Sequence, residues 1–185
     1  MNKLTAFAVL LLVITFSINR QQSKSTLKTT EIVQPEISNG FTVNDKEYTL
    51  DFKIDNTNIQ KPILVIAIKL HNESKYISPF AKREFTGKFY MDLGSYTNLD
   101  FEGEIIETPR SIEEHDPHSN VKNATVNWVR KNTTYKQTLN IKSKKDFEVF
   151  GRLQFVIEPR CTLEEIPFAI TFKNGEIKRI FSPKC

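Results

Sequence analysis

The sequence predicts an all-β protein built as an antiparallel β-sandwich. Apolar residues recur with period two in one segment after another, and no stretch after Thr30 keeps a capped 3.6-residue period. Turn residues also punctuate the chain at short intervals. Together these features describe a sandwich of immunoglobulin-like type. The Cys…Trp…Cys order of immunoglobulin domains proper is missing, because Trp128 precedes both cysteines.

The first segment is not part of that sandwich. Lys3 supplies a positive start, Leu4 to Phe16 form an almost unbroken apolar run, and polar residues follow from Ser17. The run is short for a bilayer span and fits the apolar core of a secretory signal. Residues 1–19 are therefore expected to be a signal peptide, cleaved at a position between about 17 and 25, the alternative being an uncleaved membrane anchor. Residues 20–30 carry Gln, Ser, Lys and Thr without periodicity and are expected to be a flexible polar leader. The sandwich domain is expected over residues 31–185, in the periplasm or secreted, with no membrane span once the signal is removed.

Export changes how the charge is read. Lys3, Arg20 and Lys24 account for three of the 26 basic residues, which leaves 23 against 22 acidic ones. A near-neutral mature chain argues against a nucleic-acid or membrane-surface partner. A domain of this length buries roughly two-thirds of its unfolded surface and does not need disulfides to fold.

The strands follow in order. In "EYTLDFKID", Tyr48, Leu50, Phe52 and Ile54 point one way and Thr49, Asp51, Lys53 and Asp55 the other, as in a half-buried strand. "ILVIAIKL", Ile63 to Leu70, is apolar on both faces and reads as a central strand. Ser78 to Arg83 is the best place for a short helical turn, and "FEGEIIE" is a weaker strand. "ATVNWV" and "YKQTLNI" flank Lys131–Thr134 and predict a hairpin. "FEVFGRLQFVIE" predicts a strand with a bulge or bend at Gly151.

The last segment, "IPFAITFKNGEIKRIFSPKC", carries the clearest local signal. Asn174-Gly175 between alternating runs predicts a type I′ hairpin, because that turn needs positive φ at both positions. The register then pairs Phe172 with Ile177, Ile170 with Arg179 and Phe168 with Phe181. Continued, it sets Cys185 opposite Glu164, three residues from Cys161. A small bulge would bring the sulfurs into range, so a structural disulfide between Cys161 and Cys185 is expected, worth about 3 kcal/mol.

Three stretches are similar to a known family: "YIS" at Tyr76, "EEHDPHSN" at Glu113–Asn120 and "KDFEVFGRLQFVIEPRCTLEEIPFAITF" at Lys144–Phe172. From Tyr76 to Ile180 the chain resembles the N-terminal, periplasmic domain of the thiol:disulfide interchange protein DsbD family. The resemblance implies an immunoglobulin-like sandwich on which two cysteines pass reducing equivalents to periplasmic partners. Cys161 matches the second of those cysteines. The first belongs near Val156 to Glu158, where the sequence reads Val156-Ile157-Glu158. Exchange needs a second sulfur close to the attacking thiolate. The favoured expectation is thus a non-enzymatic module acting through contacts with an unidentified protein partner. The alternative is a thiol:disulfide exchange protein using Cys161 and Cys185.

Other candidates weigh less. His115 and His118 form a His-x-x-His pair beside Glu113, Glu114 and Asp116, and could hold Zn²⁺ or Cu²⁺. Asp116-Pro117 starts turns, so a solvated loop without metal is favoured. His71 is read as a surface or satisfied histidine, and Trp128 as a core or half-buried residue. No nucleophile elbow, zinc-protease motif or phosphate loop is present, and no cofactor is expected. Sequons begin at Asn72, Asn123 and Asn132 and matter only in a glycosylating host.

Overall fold

The computed structural model describes residues 39–116 and 119–183. The expected signal, the leader and the start of the domain lie outside these described residues, as do His118 and Cys185. The strands are β1 (Gly40–Asn44), β2 (Tyr48–Asp55), β3 (Ile63–Leu70), β4 (Tyr76–Ile77), β5 (Tyr90–Asp92) and β6 (Leu99–Thr108), then β7 (Ile112–His115), β8 (Thr125–Val129), β9 (Thr133–Ile141), β10 (Phe147–Ile157), β11 (Thr162–Lys173) and β12 (Glu176–Phe181). No helix occurs among the described residues.

Among the described residues all pairings are antiparallel and build three sheets, ordered β1-β2-β3-β9-β6, β12-β11-β10-β5 and β4-β8-β7. The first two pack face to face as a β-sandwich. Phe52 lies 5.7 Å from Phe168 and Tyr48 5.3 Å from Phe155, ring centre to ring centre, across that interface. The third sheet joins the same core through Tyr76, whose ring is 5.4 Å from that of Phe155. Each large apolar side chain so buried stabilises the fold by about 1.5–3 kcal/mol.

Period-two alternation translates directly into the core. Tyr48, Leu50, Phe52 and Ile54 are buried on β2, and Leu64, Ile66 and Ile68 on β3. β3 lies between β2 and β9, the central place its two apolar faces predict. "FEGEIIE" lies within β6, where the register with β9 breaks between Glu102 and Ile106 around Gly103 at φ +71°. The Gln137 amide donates to the Glu102 and Gly103 carbonyls and satisfies that break.

Four local expectations are corrected. The segments around Lys131 do not form a hairpin: β8 pairs with β4 and β7, whereas β9 pairs with β3 and β6. No residue of this link has the positive φ that a tight two-residue turn requires. The chain instead crosses between sheets, and Asn132 Oδ1 accepts from the Leu70 amide to hold the crossing. Ser78 to Arg83 holds a single turn closed by Ala81 N donating to Ser78 O, not a helix.

Gly151 is not a bulge either, because β10 and β11 pair without a break from Phe147↔Phe172 to Ile157↔Thr162. The position demands glycine for space. A Cβ there would stand 2.5 Å from Phe168 Cζ and 2.7 Å from the Asp92 carbonyl oxygen.

The fourth correction concerns the last hairpin. Asn174 and Gly175 have φ of 53° and 85°, and Phe172 pairs with Ile177, as expected. A bulge between Thr171 and Phe172 then shifts the register by one. Ile170 therefore faces Ile180 instead of Arg179, and Phe181 lies opposite Ala169 instead of Phe168. The shift sends Ile180 into the core and leaves Arg179 exposed.

Candidate functional site

The β10–β11 turn, Glu158-Pro159-Arg160-Cys161, presents the one cysteine among the described residues. β10 leads into it with Leu153, Phe155 and Ile157, all fully buried, so the base of the turn is anchored in the core. Glu158 is pinned on its other side by an antiparallel bridge to Lys75: Lys75 N donates to Glu158 O at 3.1 Å, and Glu158 N to Lys75 O at 2.9 Å. Cys161 itself has φ of 54°, in the left-handed region that L residues enter at a cost.

Arg160 fastens the turn to the β1–β2 connection. Its Nη1 donates to Asp45 Oδ1 at 3.1 Å and to Glu47 Oε2 at 2.5 Å, and its Nη2 donates to Glu164 Oε1 at 2.6 Å. Tyr48 OH donates to the other Glu164 oxygen at 2.7 Å. The Glu164 contact heads the causes that raise the Arg160 pKa. The guanidinium is a third exposed, so this network positions the turn more than it stabilises the fold.

The Cys161 thiol donates to Glu158, with Sγ 3.1 Å from Oε1 and 3.2 Å from Oε2. This hydrogen bond, then the negative charge of the carboxylate, pushes the thiol pKa above its ordinary value. The thiolate, the nucleophilic form, is suppressed.

The remaining sequence candidates separate. His115 ends β7, exposed, opposite Thr125. The carboxylates beside it are engaged: Lys82 donates to Glu113 at 2.8 Å, Arg130 to Glu114 at 2.8 Å and Arg83 to Asp116 at 3.2 Å. The Lys82 hydrogen bond, followed by that of Thr125, holds the Glu113 carboxyl below its usual range. His71 is exposed, with Nε2 3.0 Å from Thr49 Oγ1.

Two arrangements escaped the sequence. Glu107 is buried and accepts from Tyr135 OH at 2.8 Å, from Ser111 N and Oγ at 3.0 Å each, and from Ser78 Oγ at 3.2 Å. Tyr76 OH lies 3.1 Å from Tyr135 OH and completes the network. Its members come from three separate segments, around Tyr76, Glu107 and Tyr135, and nothing local marks these segments as partners.

The second is a cleft of about 330 Å³ bounded by Arg110, Ile112, Glu114, Trp128, Arg130 and Lys131. Trp128 is half-buried, as expected, but its ring also carries Lys75 Nζ at 4.3 Å. Ile112 and Trp128 meet only because β7 pairs with β8.

No model of a known protein family matches this chain, and no curated protein matches it. Among solved structures, the chain is similar to the GAE domain of GGA2p from Saccharomyces cerevisiae. The identity is 11%, the TM-score 0.38, and the match covers 73% of this chain and 98% of that one. It is also similar to the N-terminal periplasmic domain of ScsB from Proteus mirabilis, at 10% identity and a TM-score of 0.43 over 70% of this chain and 49% of that one. A third, the yeast GGA1 GAE domain, gives 8% identity and a TM-score of 0.36 over 73% and 99% of the two chains.

Proposed function

We propose that this chain is an exported, non-enzymatic β-sandwich module that works by contacting another protein, its cysteine chemistry being structural. The Lys3-led apolar run from Leu4 to Phe16 supports export. The Glu158–Cys161 pair carries the rest. Thiol:disulfide exchange draws on a thiolate with a second sulfur beside it. Glu158 instead places a carboxylate against Cys161 and holds its thiol protonated.

The same carboxylate bears on the Cys161–Cys185 bond that we propose for the oxidised protein. A thiol of raised pKa is a poor leaving group, so attack that expels Cys161 from such a bond is slow. Cys161 is then unsuited to rapid exchange both as the attacking and as the leaving thiol.

Two measurements test this. The oxidised protein is incubated with a thioredoxin-like reductant and its thiols are counted, with resistance expected until the fold is loosened. Wild type and Cys161→Ser are also photo-crosslinked in the exporting host, and the same partner bands are expected from both. Ready reduction at the potential of catalytic dithiols, or complexes that vanish with Cys161→Ser, would establish an exchange protein using Cys161 and Cys185. Two free thiols in the oxidised sample would remove the proposed bond.

A further inference from the structure

We infer that the cleft between the start of β7 and the end of β8 binds an extended acidic peptide segment, which adds to the open edge of β7. This deepens the module reading and rests on it. β7 pairs on one side only, with β8, so its outer main-chain groups are free of strand partners among the described residues. Proteins ordinarily blunt such edges with charge. β7 does carry Glu113 and Glu114, but each is paired with a cation, Lys82 and Arg130, and the strand opens with Ile112, 82% exposed and opposite Trp128.

The charge of the cleft selects the occupant. Arg110, Arg130 and Lys131 line it against a single acid, Glu114, and Arg130 neutralises that acid at 2.8 Å. Neither Arg110 nor Lys131 has an ion-pair partner among the described residues. Arg110 lies over the Phe80 ring at 4.3 Å, which leaves the edge donors of its guanidinium for a carboxylate in bidentate geometry. An extended segment alternating acidic and apolar residues matches all three features. Its main chain pairs with β7, an apolar side chain covers Ile112 and Trp128, and a carboxylate meets Arg110 and Lys131.

Trp128 is the only tryptophan in the chain, so its emission reports on the cleft directly. The exported full chain is titrated with a short peptide alternating glutamate and leucine, with its glutamine-for-glutamate counterpart, and with inorganic polyphosphate. The glutamate peptide is expected to shift the Trp128 emission, and the glutamine peptide to bind about tenfold or more weakly. Arg110→Glu combined with Lys131→Glu is expected to weaken the glutamate peptide by about tenfold or more while circular dichroism is unchanged. Ile112→Glu, at a position open enough to tolerate it, should do the same and serves if the double variant fails to fold.

Equal affinity for the two peptides, no response to either, or polyphosphate binding as tightly as the glutamate peptide would each overturn the assignment. Photo-crosslinking separates this from the broader reading. A partner still trapped by the double variant would sink the cleft alone, whereas a wild type that traps no thiol-independent partner would sink the module.

Discussion

Cys161 Sγ stands within 3.2 Å of both carboxylate oxygens of Glu158, a residue only three positions earlier in the same turn. The contact depends on the β10–β11 ladder closing at Ile157↔Thr162 and on the backbone bridge between Glu158 and Lys75. It ties the chemistry of the one described thiol to a single acid.

In the reduced protein, Cys161 should alkylate more slowly with iodoacetamide at neutral pH than an ordinary exposed cysteine. Its thiol is held protonated, chiefly by the Glu158 hydrogen bond and then by the Glu158 charge. Glu158→Gln removes the charge and should speed the reaction severalfold, with the midpoint of the rate–pH profile moving down. An unchanged profile would show that the carboxylate does not govern the thiol.

Gly151→Ala should destabilise the fold by about 1–3 kcal/mol, since the new methyl must displace both a buried ring and a carbonyl. Phe168 Cζ and Asp92 O are the atoms it meets. Gly103→Ala is the control for backbone conformation alone, because Gly103 has positive φ but nothing within 4 Å of its Cβ direction. Urea denaturation measures both. A Gly151→Ala protein as stable as wild type would mean that β5 and β11 separate easily.

Tyr135→Phe removes the hydroxyl that donates to Glu107 and faces Tyr76 OH. With a buried carboxylate left short of a donor, the expected loss is about 1–3 kcal/mol. Tyr96→Phe, on an exposed ring, should change stability by less than about 0.5 kcal/mol. Equal denaturation midpoints for the two variants would contradict the buried network.

Stability should fall in alkali. Burial, the largest cause in each case, raises the pKa of Tyr48, Tyr76 and Tyr135 above the ordinary phenol value. A folded pKa above the unfolded one gives stability that is complete below about pH 10 and lost as pH rises through the folded value. Phenolate absorbance from these three rings should therefore appear together with loss of near-ultraviolet circular dichroism. Ionisation of all five tyrosines with the fold intact would exclude it.

The sequence alone determined what depends on near neighbours. Period-two alternation marks Tyr48–Ile54 as a strand because adjacent side chains in a strand must point to opposite faces, and the two-faced apolar run Ile63–Leu70 marks a central one. Asn174-Gly175 marks its own turn because few residues tolerate positive φ there. The Glu158–Cys161 contact was half legible: its spacing stood in the sequence, but the direction of both side chains did not.

Tertiary structure decided everything that depends on which strands meet. β8 and β9 enter different sheets, although their alternation suits a hairpin equally well, because the apolar faces of both are satisfied by other partners. The bulge at Thr171 chose Ile180 over Phe181 for the core, a one-residue slip that packing fixes and pattern does not. Glu107 found Tyr135, and Ile112 found Trp128, across separations of 28 and 16 positions. Neither pair leaves a local mark, since only long-range pairing sets the distance between such residues.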